Sequence, residues 1–166
     1  MLMACSGRQF GLCRQFTYRT IIPPTMAYYK LHAGIEVTLR TDICADLNFM
    51  IMEVKHEGSY HPPMCIINIY NQAKPGETQG QRYTTDRLAN INLHPGTPTI
   101  ITGDWNLHHN SWNSTVEVES TPARTQEVVD WLKGQGFSLC SERDVHTRSG
   151  TGSQQDSVID LTLQMR

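Results

Sequence analysis

No stretch of about 18 consecutive apolar residues occurs in the 166-residue sequence, so a membrane-spanning helix is excluded. Charge of neither sign dominates: 14 Lys and Arg stand against 16 Asp and Glu, a formal net charge of −2. That balance rules out a histone-like polycation but leaves room for a local basic patch facing a nucleic acid. No Cys-x-x-Cys pair is present. The five cysteines (Cys5, Cys13, Cys44, Cys65 and Cys140) are scattered and odd in number, which argues against a zinc ribbon and a disulfide scaffold alike. There is no internal repeat and no low-complexity tract.

The first acid is Glu36, and before it come only Arg8, Arg14, Arg19 and Lys30. Such a leader has the composition of a transit peptide, yet Phe10 to Ile22 lacks a helical apolar stripe and Pro23-Pro24 breaks any helix. Arg8 also interrupts any signal-peptide apolar region, so the sequon Asn113-Ser114-Thr115 reads as accidental. Residues 1–26 are therefore expected to be a poorly ordered or misjoined segment ahead of a single domain over residues 27–166. The chain is expected to be soluble and intracellular.

From Gly34 the pattern becomes orderly. Ile35, Val37 and Leu39 alternate with polar residues, the period of a half-buried strand. Phe49 to Val54 and Met64 to Tyr70 follow as strands across a turn-rich segment, close enough for antiparallel pairing. Arg82 to Leu93 carries a moderate helical signal, and Thr97 to Ile101 is a strand running into Gly103. Thr121-Pro122 is a helix start, a hydroxyl cap before a first-turn proline, with Val128, Val129 and Leu132 as its apolar face. Phe137 to Cys140 and Val158 to Leu163 complete the strands. Mixed elements of this kind make an α/β or α+β domain with substantial antiparallel pairing.

The most informative stretch is Thr99-Ile-Ile-Thr-Gly-Asp-Trp-Asn-Leu-His-His109. In an extended chain Asp104 and Asn106 share a face, where a carboxylate can orient or deprotonate a water and a carboxamide can donate to a phosphoryl oxygen. The same spacing also suits an Asx turn at a strand end. His108 and His109 are adjacent and should diverge, one ring packed and one solvated, rather than share a metal ion. Asp160, in Ser157-Val-Ile-Asp-Leu-Thr-Leu163, is an acid within an apolar strand, a position that needs a partner or a task. Tyr70-Asn71 ends the Ile66-Ile-Asn-Ile-Tyr-Asn71 strand, where both side chains can reach a phosphate or simply pack at a rim.

Taken in order, Ile-Tyr-Asn, Gly103-Asp-Trp-Asn-Leu-His-His-Asn-Ser-Trp112 and Ser157-Val-Ile-Asp-Leu161 resemble the endonuclease/exonuclease/phosphatase family. They are especially similar to its LINE-type retrotransposon endonuclease branch. The similarity runs from about Ala27 to Met165. It implies an incomplete four-layered α/β sandwich, mainly antiparallel sheets flanked by helices. By the same resemblance Asp104 activates the attacking water and touches the metal, Asn106 supports it, Tyr70 bonds the phosphate and Asp160 orients a catalytic histidine. Asn71 and His108 are the implied phosphate contacts. The cofactor implied is Mg²⁺ (or Mn²⁺), and the substrate DNA. A reverse transcriptase module is expected in the parent element, and a functional copy would work in the nucleus.

The family's early Asn and metal-binding Glu motifs have no match in residues 1–26, and its closing Ser-Asp-His motif has none before Arg166. The reading is therefore a retrotransposon-type endonuclease domain, truncated and weak or inactive. Two rivals stand beside it: a phosphomonoester or phosphoinositide phosphatase on the same scaffold, and a non-catalytic remnant that binds nucleic acid weakly.

Overall fold

The computed structural model describes residues 34–44, 46, 48–72, 83–94, 96–150, 152 and 156–165. The expected N-terminal segment, 1–26, lies outside the described residues. Six strands form one mixed sheet in the order β1-β2-β3-β4-β6-β5. They are β1 (Ile35–Leu39), β2 (Phe49–His56), β3 (Met64–Tyr70), β4 (Thr99–Asp104), β5 (Phe137–Leu139) and β6 (Asp160–Met165). One α-helix, α1 (Ala123–Gly134), and 3₁₀ helices at Thr84–Asn90 and Val118–Ser120 connect them.

Every neighbouring pair is antiparallel except β3 and β4. A parallel pair needs a long crossover, and residues 71–98 supply it. Alternation sorts the side chains onto two faces. One face buries Phe49, Ile51, Ile67, Ile69, Ile101, Leu161 and Leu163 against Val128, Val129 and Leu132 of α1 and Leu88 of the first 3₁₀ helix. Trp105, Leu107 and Trp112 from the segment after β4 complete that core. The opposite face carries a smaller apolar cluster of Met50, Met52, Val37, Val54, Ile66 and Tyr70, then turns polar over β4 and β6. This is the expected α/β class: the described residues make one sheet and one helical layer.

Several boundaries differ from the sequence reading. The helical signal in Arg82 to Leu93 is realised as a short 3₁₀ helix, whose start Asp86 closes by accepting the Tyr83 amide. The α-helix begins at Ala123, with Pro122 extended in the capping position and no side-chain cap from Thr121. The last strand starts at Asp160 rather than Val158, because the amides of Ile159 and Asp160 bond the Thr147 hydroxyl and not a neighbouring strand. Cys44, Cys65 and Cys140 are free thiols. No helix among the described residues is long and apolar enough to cross a membrane.

Candidate active site

The sheet register brings Tyr70, Asp104 and Asp160 into one row. Tyr70 at the end of β3 is the partner of Asp104 at the end of β4, and Asp104 is in turn the partner of Asp160 at the start of β6. Directly opposed residues project from the same face with Cβ atoms about 5 Å apart. Three residues from distant parts of the chain therefore stand side by side at one edge of the polar face.

The titration of Asp104 reflects this placement. Asp104 is half-buried, and its carboxyl is pushed up to about 6, first by burial and then by the charge of Asp160. Hydrogen bonds from Asn106 and the positive charge of Arg148 act in the opposite sense. Asp160 reaches solvent, yet partial desolvation raises its carboxyl too, against a hydrogen bond from Thr147. A carboxylate that titrates near 6 is ionised at neutral pH and still basic enough to take a proton from water.

Asn106 does not sit beside Asp104 on an extended strand. The strand ends at Asp104, and Asn106 adopts the left-handed conformation, with φ of 44°. Its amide N–H donates to Asp104 Oδ1 at 3.1 Å, so the Asx turn is the geometry found. Its carboxamide donates to the Asn71 carbonyl at 2.6 Å. Asn106 thus holds the carboxylate and ties the end of β4 to the end of β3.

Asn71, expected among the phosphate contacts, is 0 % exposed. Its Nδ2 donates to the Trp105 carbonyl at 2.6 Å, and its Oδ1 accepts the Thr85 amide at 3.4 Å. Both ends of the carboxamide are consumed inside the protein, so Asn71 braces the loop that carries Asn106. The histidine pair divides as its adjacency requires. His108 is exposed, whereas His109 is buried, accepts the Ser111 amide at Nδ1 and donates from Nε2 to Gln126 Oε1 at 3.2 Å. The second ring lies tilted against Trp112, with centroids 5.2 Å apart.

Gly103 is required by the same construction. Its φ is 130°, and a Cβ there would stand 2.1 Å from the Ile69 carbonyl oxygen. Sequence reasoning missed Thr147, whose Oγ1 accepts the amides of both Ile159 and Asp160 at 3.0 Å. The only available signal was a lone threonine in a Ser- and Gly-rich loop. That loop is closed by the Arg148–Ser157 bridge, which sets the Arg148 charge near Asp104. Among the described residues no group of three His, Cys, Asp or Glu side chains converges as a metal site. The Asp104 and Asp160 carboxylates are hard oxygen donors of the kind magnesium takes, and magnesium is commonly held by one or two carboxylates plus water and substrate phosphate.

The described residues thus form an α/β fold with two acids paired at the edge of a mixed sheet. The profile of the endonuclease-reverse transcriptase family matches residues 64–165, more than half of the sequence, and the chain belongs to that family. Among solved structures it is similar to the endonuclease domain of TRAS1, a telomere-specific non-LTR retrotransposon, with a TM-score of 0.58 and 18% sequence identity. That match covers 79% of this chain and 56% of the TRAS1 domain, so the chain spans little more than half of the structure it resembles. No curated protein matches the sequence.

Proposed function

We propose that this retrotransposon-endonuclease domain hydrolyses phosphodiester bonds in DNA, nicking one strand with the help of a divalent cation. The observation that carries the reading is the row Tyr70–Asp104–Asp160. Asp104, held by Asn106, orients the attacking water and takes its proton. Tyr70 beside it donates its hydroxyl to a phosphate oxygen, and exposed His108 is free to approach the sugar-phosphate backbone. Asp160 supplies the second carboxylate beside it. Magnesium or manganese, held by Asp104 with Asp160, would neutralise charge that develops on the phosphoryl oxygens. Two carboxylates leave most of a cation's coordination to water and substrate phosphate, and weak binding with slow turnover is part of this reading. The reaction belongs in the nucleus, where a reverse transcriptase module of the parent element would extend the 3′-hydroxyl left by the nick.

The test is conversion of supercoiled plasmid to open circles with magnesium, beside the Asp104→Ala protein and beside a small phosphomonoester. Slow nicking that Asp104→Ala abolishes supports the reading. Cleavage of the monoester alone would make the protein a phosphatase, and no magnesium-dependent cleavage of either would make it a non-catalytic domain.

A further inference from the structure

Directly behind the acid row, on the same face of the sheet, lies a second polar row formed by the register partners Asn68, Thr102 and Thr162. The Thr102 and Thr162 hydroxyls bond each other at 2.9 Å. One of their two protons is used in that bond, which leaves the other to donate elsewhere. Asn68 is only 3% exposed, and its carboxamide makes no hydrogen bond with any described residue. On its other side stands Met50, its partner in β2, within the apolar cluster of Met52 and Ile66. An apolar residue would extend that cluster without stranding a polar group, so the fold alone gives Asn68 no purpose.

The geometry next to it does. Asn68 and Asp104 are diagonal neighbours on adjacent strands, about 7 Å apart. That is too far for a direct hydrogen bond and suits one intervening water. Gly103 leaves the carboxamide its room, because a Cβ there would fall 2.6 Å from Asn68 Oδ1.

We propose that Asn68 is a positioning residue for Asp104: its carboxamide and the spare proton of the threonine pair hold a buried water that hydrogen-bonds the Asp104 carboxylate. Asn106 grips that carboxylate from the loop side, and the water grips it from beneath, so the carboxylate plane is set before substrate arrives. The catalytic consequence rests on the endonuclease reading; the coupling of Asn68 to Asp104 does not.

The experiment is a double-mutant cycle with Asn68→Leu and Asp104→Asn, read first as thermal midpoints of the metal-free chain. The expected result is non-additivity: the shift caused by Asn68→Leu differs by about 2–4 °C between the two backgrounds, since Asp104→Asn changes the charge that the water serves. Asn68→Ser, small and able to hold the water, keeps the wild-type midpoint pattern. In plasmid nicking, Asn68→Leu lowers kcat at least tenfold with KM unchanged, and Asn68→Ser recovers most of it. Additive midpoints would overturn the proposal, as would a loss of kcat that only tracks the loss of folded protein. Should the wild-type chain fail to nick, the endonuclease reading falls, and the midpoint cycle by itself still decides whether Asn68 and Asp104 are coupled.

Discussion

Asp104 and Asp160 face each other as register partners across β4 and β6, two acids drawn together by the hydrogen bonding of their own strands. Burial and this proximity raise Asp104 to about 6, so the pair is held against its electrostatic preference. An arrangement that costs stability and concentrates negative charge is what a cation or a proton-transfer step uses.

The first prediction follows from the sign of that shift. The folded pKa of Asp104 lies above its unfolded value near 3.9, so the native state binds more protons between about pH 4 and pH 6. Stability from this group is therefore present in acid and lost as pH rises through 6. Asp104→Asn should stabilise the chain at pH 8 by about 1 kcal/mol, a figure reduced for solvent screening of a half-exposed group, and leave it nearly unchanged at pH 4. Urea denaturation at the two pH values checks this; an equal effect at both would refute it.

Nicking should show the same group kinetically. The rate falls below about pH 6 as Asp104 becomes protonated, and Asp160→Asn moves that acid limb to lower pH by removing a neighbouring negative charge. A pH–rate profile of the two proteins measures it, and an acid limb moved upward would contradict the assignment.

Gly103→Ala should be among the most damaging single changes. The new Cβ would meet the Ile69 carbonyl at 2.1 Å and its amide nitrogen at 2.9 Å, both backbone atoms of the adjacent strand. A loss of about 3 kcal/mol or more is expected, at the upper end for point substitutions. Chemical denaturation reads it directly, and a loss below 1 kcal/mol would mean that the β3–β4 pair yields easily.

Asn71→Ala separates a brace from a phosphate contact. Removing the carboxamide strands the Trp105 carbonyl and the Thr85 amide, which should cost about 2–4 kcal/mol. Unchanged stability with weakened DNA affinity would restore Asn71 to the phosphate-binding set.

Much of this arrangement was visible in the residues themselves. Alternation located β1, and apolar runs between turn signals located β2 through β4, to within a few positions, while strand ends bearing Tyr70 and Asp104 marked where side chains could gather. What stayed hidden depends on register between distant segments. Nothing local to Asp-Trp-Asn shows that β4 stops at Asp104 and that Asn106 turns left-handed, because that turn is held by the Asn71 carbonyl from another strand. Asp160 looked buried within an apolar run, yet Thr147 captures the two amides before the strand proper and leaves the acid at its open end. A buried asparagine and a surface asparagine look identical in a one-dimensional string, so the burial of Asn71 could not be read there.

The placement of β6 between β4 and β5 has a consequence for how the protein comes into being. The strand that supplies Asp160 is the last of the six to be synthesised, yet it is interior to the sheet, and among the described residues β5 pairs with it alone. While a nascent chain still lacks residues 160–165, Asp104 has no opposing acid and the sheet ends at β4, paired only with β3. Pairings this remote along the chain are slow to form. The acid pair therefore forms only once residues 160–165 have been synthesised, and the DNA-cutting capacity we assign to it cannot precede them.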